Sequence, residues 1–111
     1  NIRVISIIGQ FLEHSRIFWF NNGGIPEVYI GSADWMSRNL DRRVEAVTPV
    51  EAPDLQEKLQ RLLTLYLNDN RGAWEMNSDG SFTQRRPNNG ESERNSQIEL
   101  IDAWNRGLPP N

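Results

Sequence analysis

The 111-residue sequence predicts an α/β (α+β) fold, in which a mixed sheet containing one long hairpin is flanked by helices. The run Ile2-Arg3-Val4-Ile5-Ser6-Ile7-Ile8 is rich in β-branched residues, which is typical of a buried strand. Apolar segments on both sides of Asn21-Asn22-Gly23-Gly24 predict two antiparallel strands joined by a turn. Apolar residues at helical spacing after Pro53 predict an amphipathic helix.

The first half of the chain is expected to be mainly strand. After the strand at 2–8, the hairpin spans 14–32, and one short helical turn follows at 33–40 with Asp34 as its N-cap. A further strand at 43–48 ends before Pro49, because proline cannot donate to a sheet.

The second half is expected to be mainly helical. The clearest helix spans 53–68, and its apolar face consists of Leu55, Leu59, Leu62, Leu63, Tyr66 and Leu67. A small hairpin at 73–85 turns at Asn77-Ser78-Asp79-Gly80, and a last helix spans 92–104. We see no internal repeat and expect a single domain over residues 1–111.

Composition excludes several kinds of site. The chain has no cysteine and one histidine, so it has no disulfide, no thiol nucleophile and no Cys/His metal cluster. A net charge of −3 argues against a nucleic-acid partner. Eleven of the twelve basic residues are nevertheless arginine, and guanidinium groups bind phosphate oxygens bidentately. Arg38, Arg42 and Arg43 form the densest such group.

The ends of the sequence bear on its cellular context. No apolar run approaches the roughly 20 residues that a membrane helix needs, and the first residues do not resemble a signal peptide. We therefore expect a cytoplasmic protein, with peripheral membrane association left open. The chain begins inside a strand without an initiator methionine, so we expect it to be part of a longer polypeptide.

His14 is the candidate catalytic residue. Strand alternation predicts that His14 and Arg16 project from the same face of the hairpin. An imidazole beside a guanidinium suits phosphate chemistry, since histidine can attack phosphorus or protonate a leaving oxygen while arginine neutralises charge. The alternative is a histidine that only satisfies local hydrogen bonds.

The wider pattern resembles the phospholipase D superfamily motif, which is His-x-Lys, four residues, Asp, and then Gly-Ser-x-Asn. The matching positions are His14, Arg16 in place of lysine, Asn21 in place of aspartate, and Gly31-Ser32-Ala33-Asp34. Loss of the carboxylate at Asn21 changes what orients the imidazole, and a forked guanidinium replaces a point charge at Arg16. These departures disfavour an ordinary phospholipase or nuclease.

The string Phe11-Leu12-Glu13-His14-Ser15-Arg16 and the segment from Ser32 to Glu45 resemble the bacterial polyphosphate kinases of the first type. The resemblance continues through Thr48-Pro49 to Ser96-Gln97 and corresponds to the C-terminal part of the second phospholipase D-like domain. It implies reversible transfer of the terminal phosphate of ATP to inorganic polyphosphate through a phosphohistidine, with magnesium. It also implies a large homo-oligomer and contact with the rest of the kinase chain.

Site residues follow from the same resemblance. His14 matches the second motif histidine, so the phosphate carrier lies outside this chain and His14 acts as general acid/base or hydrogen-bond donor. Phosphate or ATP contacts are implied at Arg16, Ser32, Arg38 and Arg43. Asn21, Asp34 and Glu45 are implied as supporting residues, with Ser32 bonded to His14 and Glu45 to Arg43.

Two other functions remain open at this point. One is a phospholipase D-type phosphodiesterase. The other is a non-catalytic module that binds polyphosphate or nucleotide through its arginines, in which His14 is inert. In either enzyme reading, catalysis by positioning needs residues that this chain lacks, so we expect the isolated chain to be inactive.

Overall fold

The computed structural model describes residues 2–34 and 36–108, without the side chains of residues 38–40. Within these ranges, short strands are interleaved with three α-helices. In chain order, the elements are β1 (Ile5–Ile7), β2 (Ile17–Phe20), β3 (Glu27–Gly31), α1 (Ser37–Arg42), β4 (Val47–Pro49), α2 (Pro53–Leu67), β5 (Ala73–Met76), β6 (Phe82–Gln84) and α3 (Ser96–Asn105).

The chain groups into two compact units. Residues 14–60 form the first, called here the hairpin unit, and residues 1–13 with 61–111 form the second, called the split unit. Each contains one three-stranded antiparallel sheet, β2-β3-β4 in the hairpin unit and β1-β5-β6 in the split unit. The expectation of a single domain over residues 1–111 stays a prediction.

The hairpin unit is built on the turn between β2 and β3. Phe20 pairs with Glu27, and the residues between them reverse the chain through a single 3₁₀ turn at Asn22–Gly24. Asn22, Gly23 and Gly24 have φ angles of 40°, 66° and 100°, a left-handed region that glycine and asparagine enter most easily. Val28, the second residue of β3, is 2% exposed and forms the buried core of this unit.

The split unit places β5 between β1 and β6. Ile5 pairs with Glu75 on one side, and Trp74 pairs with Gln84 on the other. Ala73 at the start of β5 and Leu65 near the end of α2 are buried. The contacts of β1 therefore come from a strand almost 70 residues away in sequence.

Asp69 fixes the start of β5 to the start of α3. Its side chain is 0% exposed. Oδ1 accepts from the backbone N–H groups of Arg71 at 2.9 Å, Gly72 at 2.6 Å and Ala73 at 3.0 Å. Oδ2 accepts from the Ser96 backbone N–H at 2.8 Å and from its hydroxyl at 2.7 Å. Burial alone would raise the pKa of Asp69, but the hydrogen bonds from Ser96, Arg71 and Gly72 outweigh it and lower the pKa.

The α+β class, the long hairpin and the helix after Pro53 are confirmed. The strands differ from expectation in one respect, since they form two antiparallel sheets and not one mixed sheet. The reason is that β1 pairs with β5, which leaves the hairpin to pair with β4 alone within the described residues. None of the helices in the described ranges has the length and apolar character needed to cross a bilayer.

Several element boundaries also differ. The first strand, expected at 2–8, is found as β1 at Ile5–Ile7. The short helix begins at Ser37 and not at Ala33, and Met36 occupies its N-cap position without a side-chain cap. The prediction that Asp34 caps this helix is therefore wrong. The last helix begins at Ser96 and not at Ser92, because the Asn95 side chain accepts a hydrogen bond from the Ile98 N–H at 3.2 Å.

The strand expected at 43–48 is found as β4 at Val47–Pro49. Ser32 explains the later start, because it bonds to both backbone groups of Ala46. The Ser32 N–H donates to the Ala46 carbonyl at 2.9 Å, and the Ala46 N–H donates to the Ser32 hydroxyl at 3.1 Å. The Ser32 hydroxyl thus accepts from the Ala46 N–H, which would otherwise be free to donate to a neighbouring strand.

Candidate active site

His14 lies in the exposed segment that leads into β2. The strand begins three residues later, at Ile17, so His14 and Arg16 do not share a strand face as alternation predicted. Among the described residues, no hydrogen bond to the imidazole is present. The ring nitrogens are therefore open to a ligand.

The Arg16 guanidinium reaches back to His14. Its Nη1 donates to the His14 carbonyl at 2.8 Å, and its Nη2 donates to Asp34 Oδ2 at 3.0 Å. The Arg16 side chain is 27% exposed, and its buried Nε has no hydrogen-bond partner in the described structure. Because both of its terminal nitrogens are hydrogen-bonded, the plane of the guanidinium is fixed, and its remaining N–H groups can bind an anion.

The hairpin register brings Arg16 and Asp34 together. The Gly31 N–H donates to the Arg16 carbonyl at 3.3 Å, so the residues before β2 lie beside those that follow β3. Gly31 is required at this point, since a Cβ here would lie 2.5 Å from the Ala46 carbonyl oxygen. The small residue lets β3 approach the segment before β4 closely.

Ser32 and Glu45 form a second contact at the same end of the hairpin. The Ser32 hydroxyl donates a short hydrogen bond to the Glu45 carboxylate. The expected bond from Ser32 to His14 is absent from the described structure, because the hydroxyl proton is already used. Glu45 likewise contacts Ser32 and not Arg43, for which the structure shows no ion pair with that carboxylate.

The remaining predicted site residues either lie away from these contacts or have side chains outside the described part of the structure. Arg43 is exposed at the C-cap of α1. Asn21 lies at the turn end of the hairpin, where its carbonyl accepts from the Gly24 N–H at 2.8 Å. Five residues of extended chain separate it from Arg16, which corresponds to roughly 16 Å. The side chain of Arg38 is outside the described residues.

Sequence reasoning missed the Arg16–Asp34 pair and the Ser32–Glu45 bond. Both depend on the register of the hairpin, which is set by the left-handed turn at Asn22–Gly24. Counting strand partners outward from that turn places Arg16 beside Gly31, and this signal was available in the sequence.

Magnesium is implied by the family resemblance. Among the described residues, no group of three or more His, Cys, Asp or Glu side chains could hold a metal ion. The part of the chain that is described does not fit a protein-held magnesium site, so no step is assigned to the ion.

Comparison with known proteins agrees with the resemblance. A family model described as polyphosphate kinase C-terminal domain 2 matches residues 1–97. The chain is 74% identical over 109 residues to a polyphosphate kinase of Parasynechococcus marenigrum, covering 98% of this chain and 15% of that protein. It is 49% identical over 102 residues to a polyphosphate kinase of Pseudomonas aeruginosa, covering 92% of this chain and 15% of that protein.

A solved structure gives the same answer. The crystal structure of polyphosphate kinase from Porphyromonas gingivalis matches with a TM-score of 0.84 and 39% identity, over 96% of this chain and 16% of that one. The chain thus spans about 15% of the length of the curated relatives that it matches. On these grounds, the chain belongs to the polyphosphate kinase C-terminal domain family.

Proposed function

We propose that this chain supplies the supporting half of a phosphotransfer site in a polyphosphate kinase. In this proposal, residues 1–111 are the C-terminal part of the second phospholipase D-like domain. The complete enzyme moves the terminal phosphate of ATP reversibly onto inorganic polyphosphate. The observation that carries the proposal is the Arg16 guanidinium, which is fixed between the His14 carbonyl and Asp34 and keeps a buried, unpaired Nε–H.

The chemistry divides into two displacements. In the first, the bond between the γ-phosphorus and its bridging oxygen breaks, ADP leaves with the electron pair, and a histidine outside this chain gains a P–N bond. In the second, a terminal oxygen of polyphosphate attacks phosphorus and the P–N bond breaks. In the transition state the negative charge is spread over the three equatorial phosphoryl oxygens, and cationic donors fixed around them stabilise it.

Each residue has an assigned role in that scheme. His14 donates a hydrogen bond or proton to a phosphate oxygen, and Arg16 neutralises charge on the same group. Asp34 orients Arg16 through the 3.0 Å contact. Ser32 and Glu45 hold the end of β3 against Ala46, and Arg38 and Arg43 are further contacts for phosphate. Asn21 supports the hairpin turn.

Partners and location follow from the same proposal. ATP, inorganic polyphosphate and the rest of the kinase chain are the partners, and nucleic acid is not among them. Magnesium, which the family resemblance implies, would be held by ligands outside the described residues and is given no step in this scheme. The complete enzyme is a cytoplasmic homo-oligomer, and its peripheral association with a membrane stays an open prediction.

The test uses the complete polypeptide that carries this chain. Replacement of His14 by Ala should slow polyphosphate synthesis by a factor of about 10² to 10⁴, the usual range for a lost general acid or base. Folding should be unchanged because His14 is exposed. Synthesis at a near-normal rate would show that His14 is inert.

The same variant separates the two alternatives. Hydrolysis of phosphodiesters that depends on His14 would favour a phospholipase D-type enzyme. Salt-sensitive polyphosphate binding together with normal turnover in the His14→Ala variant would favour a role in binding alone.

A further inference from the structure

A second cluster of basic side chains lines a cavity in the split unit. The cavity has a volume of about 400 Å³, toward the lower end of the 300–1,000 Å³ typical of ligand sites. Arg85, Arg86 and Arg94 line it, together with asparagine side chains and Glu91. We call it the arginine pocket, after these three arginines.

Two of the arginines are fixed by internal hydrogen bonds. Arg85 Nη1 donates to the Leu67 carbonyl at 2.7 Å, and its Nε donates to Glu75 at 3.3 Å. Arg94 binds Glu99 with two bonds, from Nε at 3.1 Å and from Nη2 at 2.7 Å. In the described structure, one terminal nitrogen of each, Arg85 Nη2 and Arg94 Nη1, keeps no protein partner. Fixed guanidinium groups bind an anion with little loss of side-chain entropy.

Arg86 is held more loosely. Its guanidinium is exposed, and the described bond is from Nη2 to the Gln84 side chain at 3.1 Å. It can therefore turn onto a ligand while the other two stay in place. Replacement of Arg86 removes the exposed bond to Gln84 and leaves the bonds of Arg85 and Arg94 intact, so this residue is the best probe of the pocket.

The lining itself carries more basic than acidic groups. It holds three arginines and one carboxylate, that of Glu91, whereas Glu75 and Glu99, which pair with Arg85 and Arg94, are not lining residues. The Asn88 backbone N–H donates to that carboxylate at 2.9 Å, and this bond, with one from the Asn70 side chain, lowers the pKa of Glu91. Glu91 is thus ionised at neutral pH and, with Glu75 on Arg85 and Glu99 on Arg94, offsets much of the arginine charge. An anion would bind the remaining N–H groups of Arg85 and Arg94 and the loosely held Arg86.

The lining also argues against a nucleotide base. Leu67 is the apolar side chain among the described lining residues, and none of these residues carries an aromatic ring on which adenine could stack. Guanidinium and amide groups instead match the oxygens of a phosphate chain. We propose that the arginine pocket binds a short run of inorganic oligophosphate, as a second phosphate site in the unit that does not carry His14.

The choice of oligophosphate among anions rests on the proposed function, whereas the anion site itself rests on the pocket. The experiment is calorimetric titration of the complete polypeptide with tripolyphosphate, and in a second arm with ATP. Arg86→Gln should weaken tripolyphosphate binding at one site by about tenfold, as expected for a lost charged hydrogen bond. Glu91→Gln should tighten binding at the same site, because it removes the opposing charge.

Arg106→Gln is the matched control. It makes the same charge change in the same unit, on an exposed arginine whose nearest carboxylate, Asp102, is 3.9 Å away. Equal binding by the Arg86→Gln and Arg106→Gln proteins would overturn the proposal. Binding of ATP as tight as that of tripolyphosphate, and equally sensitive to Arg86, would overturn the assignment to oligophosphate.

The two proposals fail separately. If Arg86→Gln leaves tripolyphosphate binding unchanged while His14→Ala slows the enzyme, the proposal for the arginine pocket fails and the proposed function stands. If His14→Ala leaves turnover normal while Arg86→Gln weakens tripolyphosphate binding, the proposed function fails and the proposal for the arginine pocket stands.

Discussion

Replacement of Asp69 by Asn tests whether one buried carboxylate holds the split unit together. The amide keeps one acceptor oxygen, but its NH₂ group must replace the other. If the NH₂ group takes the place of Oδ2, the Ser96 backbone N–H faces another donor and loses its hydrogen bond. The Ser96 hydroxyl also loses the acceptor for its proton. The amide oxygen, in the place of Oδ1, still accepts from the backbone N–H groups of Arg71, Gly72 and Ala73, but this acceptor no longer carries a negative charge.

The expected magnitude follows from these contacts. A buried N–H left unsatisfied costs about 1–3 kcal/mol, and a charged hydrogen bond is worth about 1.5–3 kcal/mol. Because the bonds share one carboxylate they are not additive, and we expect a loss of about 3 kcal/mol in local opening free energy. At 1.36 kcal/mol per factor of ten, this corresponds to about 100-fold faster exchange of the protected amides.

Hydrogen exchange read by mass spectrometry measures this locally, so it works in a polypeptide of any length. Peptides that contain Gly72 and Ser96 should exchange about 100-fold faster in Asp69→Asn. Asp79→Asn is the control, since Asp79 accepts the same pair of bonds from Ser81, at 2.9 Å and 2.6 Å, in an exposed turn. A change of less than threefold at Gly72 and Ser96, or equal effects of the two variants, would refute the reasoning.

The same carboxylate gives a pH dependence. Its folded pKa lies below the ordinary value of about 3.9, so the unfolded chain binds the proton more tightly. Protection at Gly72 and Ser96 should thus be complete above about pH 5 and fall as the pH drops through about 4 toward the folded pKa. The Asp69→Asn protein should lack this acid-side loss, and an unchanged profile would contradict the assignment.

Three further predictions concern the hairpin unit and the chain as a whole. Gly31→Ala should destabilise the unit by about 1–3 kcal/mol, seen as faster exchange in β3 and β4, because the new Cβ would lie 2.5 Å from the Ala46 carbonyl oxygen. Asp34→Asn should lower the turnover of the complete enzyme by about tenfold, because Arg16 loses its charged anchor at 3.0 Å; unchanged turnover would remove its positioning role. The isolated 111-residue chain should form no polyphosphate from ATP and magnesium, because the proposed function places the phosphate carrier outside this chain, whose single histidine is His14; synthesis would contradict that proposal.

Local patterns predicted the elements well where one signal dominated. Helical spacing after Pro53 placed a helix at 53–68, and it is found at Pro53–Leu67. The Asn22-Gly23-Gly24 turn placed the hairpin, since few residues other than glycine and asparagine accept positive φ. Several neighbouring residues could cap the last helix, and only the structure shows that Asn95 does so.

Long-range pairing was less accessible from the sequence. β1 pairs with a strand almost 70 residues away, and its own composition does not specify that partner. The Arg16–Asp34 pair spans 18 residues and requires the hairpin register. The arginine pocket joins residues from α2, from the segment after β6 and from the approach to α3, which no local sequence pattern brings together.

In the proposed function, His14 assists phosphoryl transfer without carrying the phosphate. The most direct measurement is to label the complete polypeptide with γ-³²P-ATP, digest it at a pH that preserves phosphohistidine, and map the acid-labile label. The label should lie on a peptide outside residues 1–111, and the peptide containing His14 should carry none. Stoichiometric acid-labile label on His14 would contradict it.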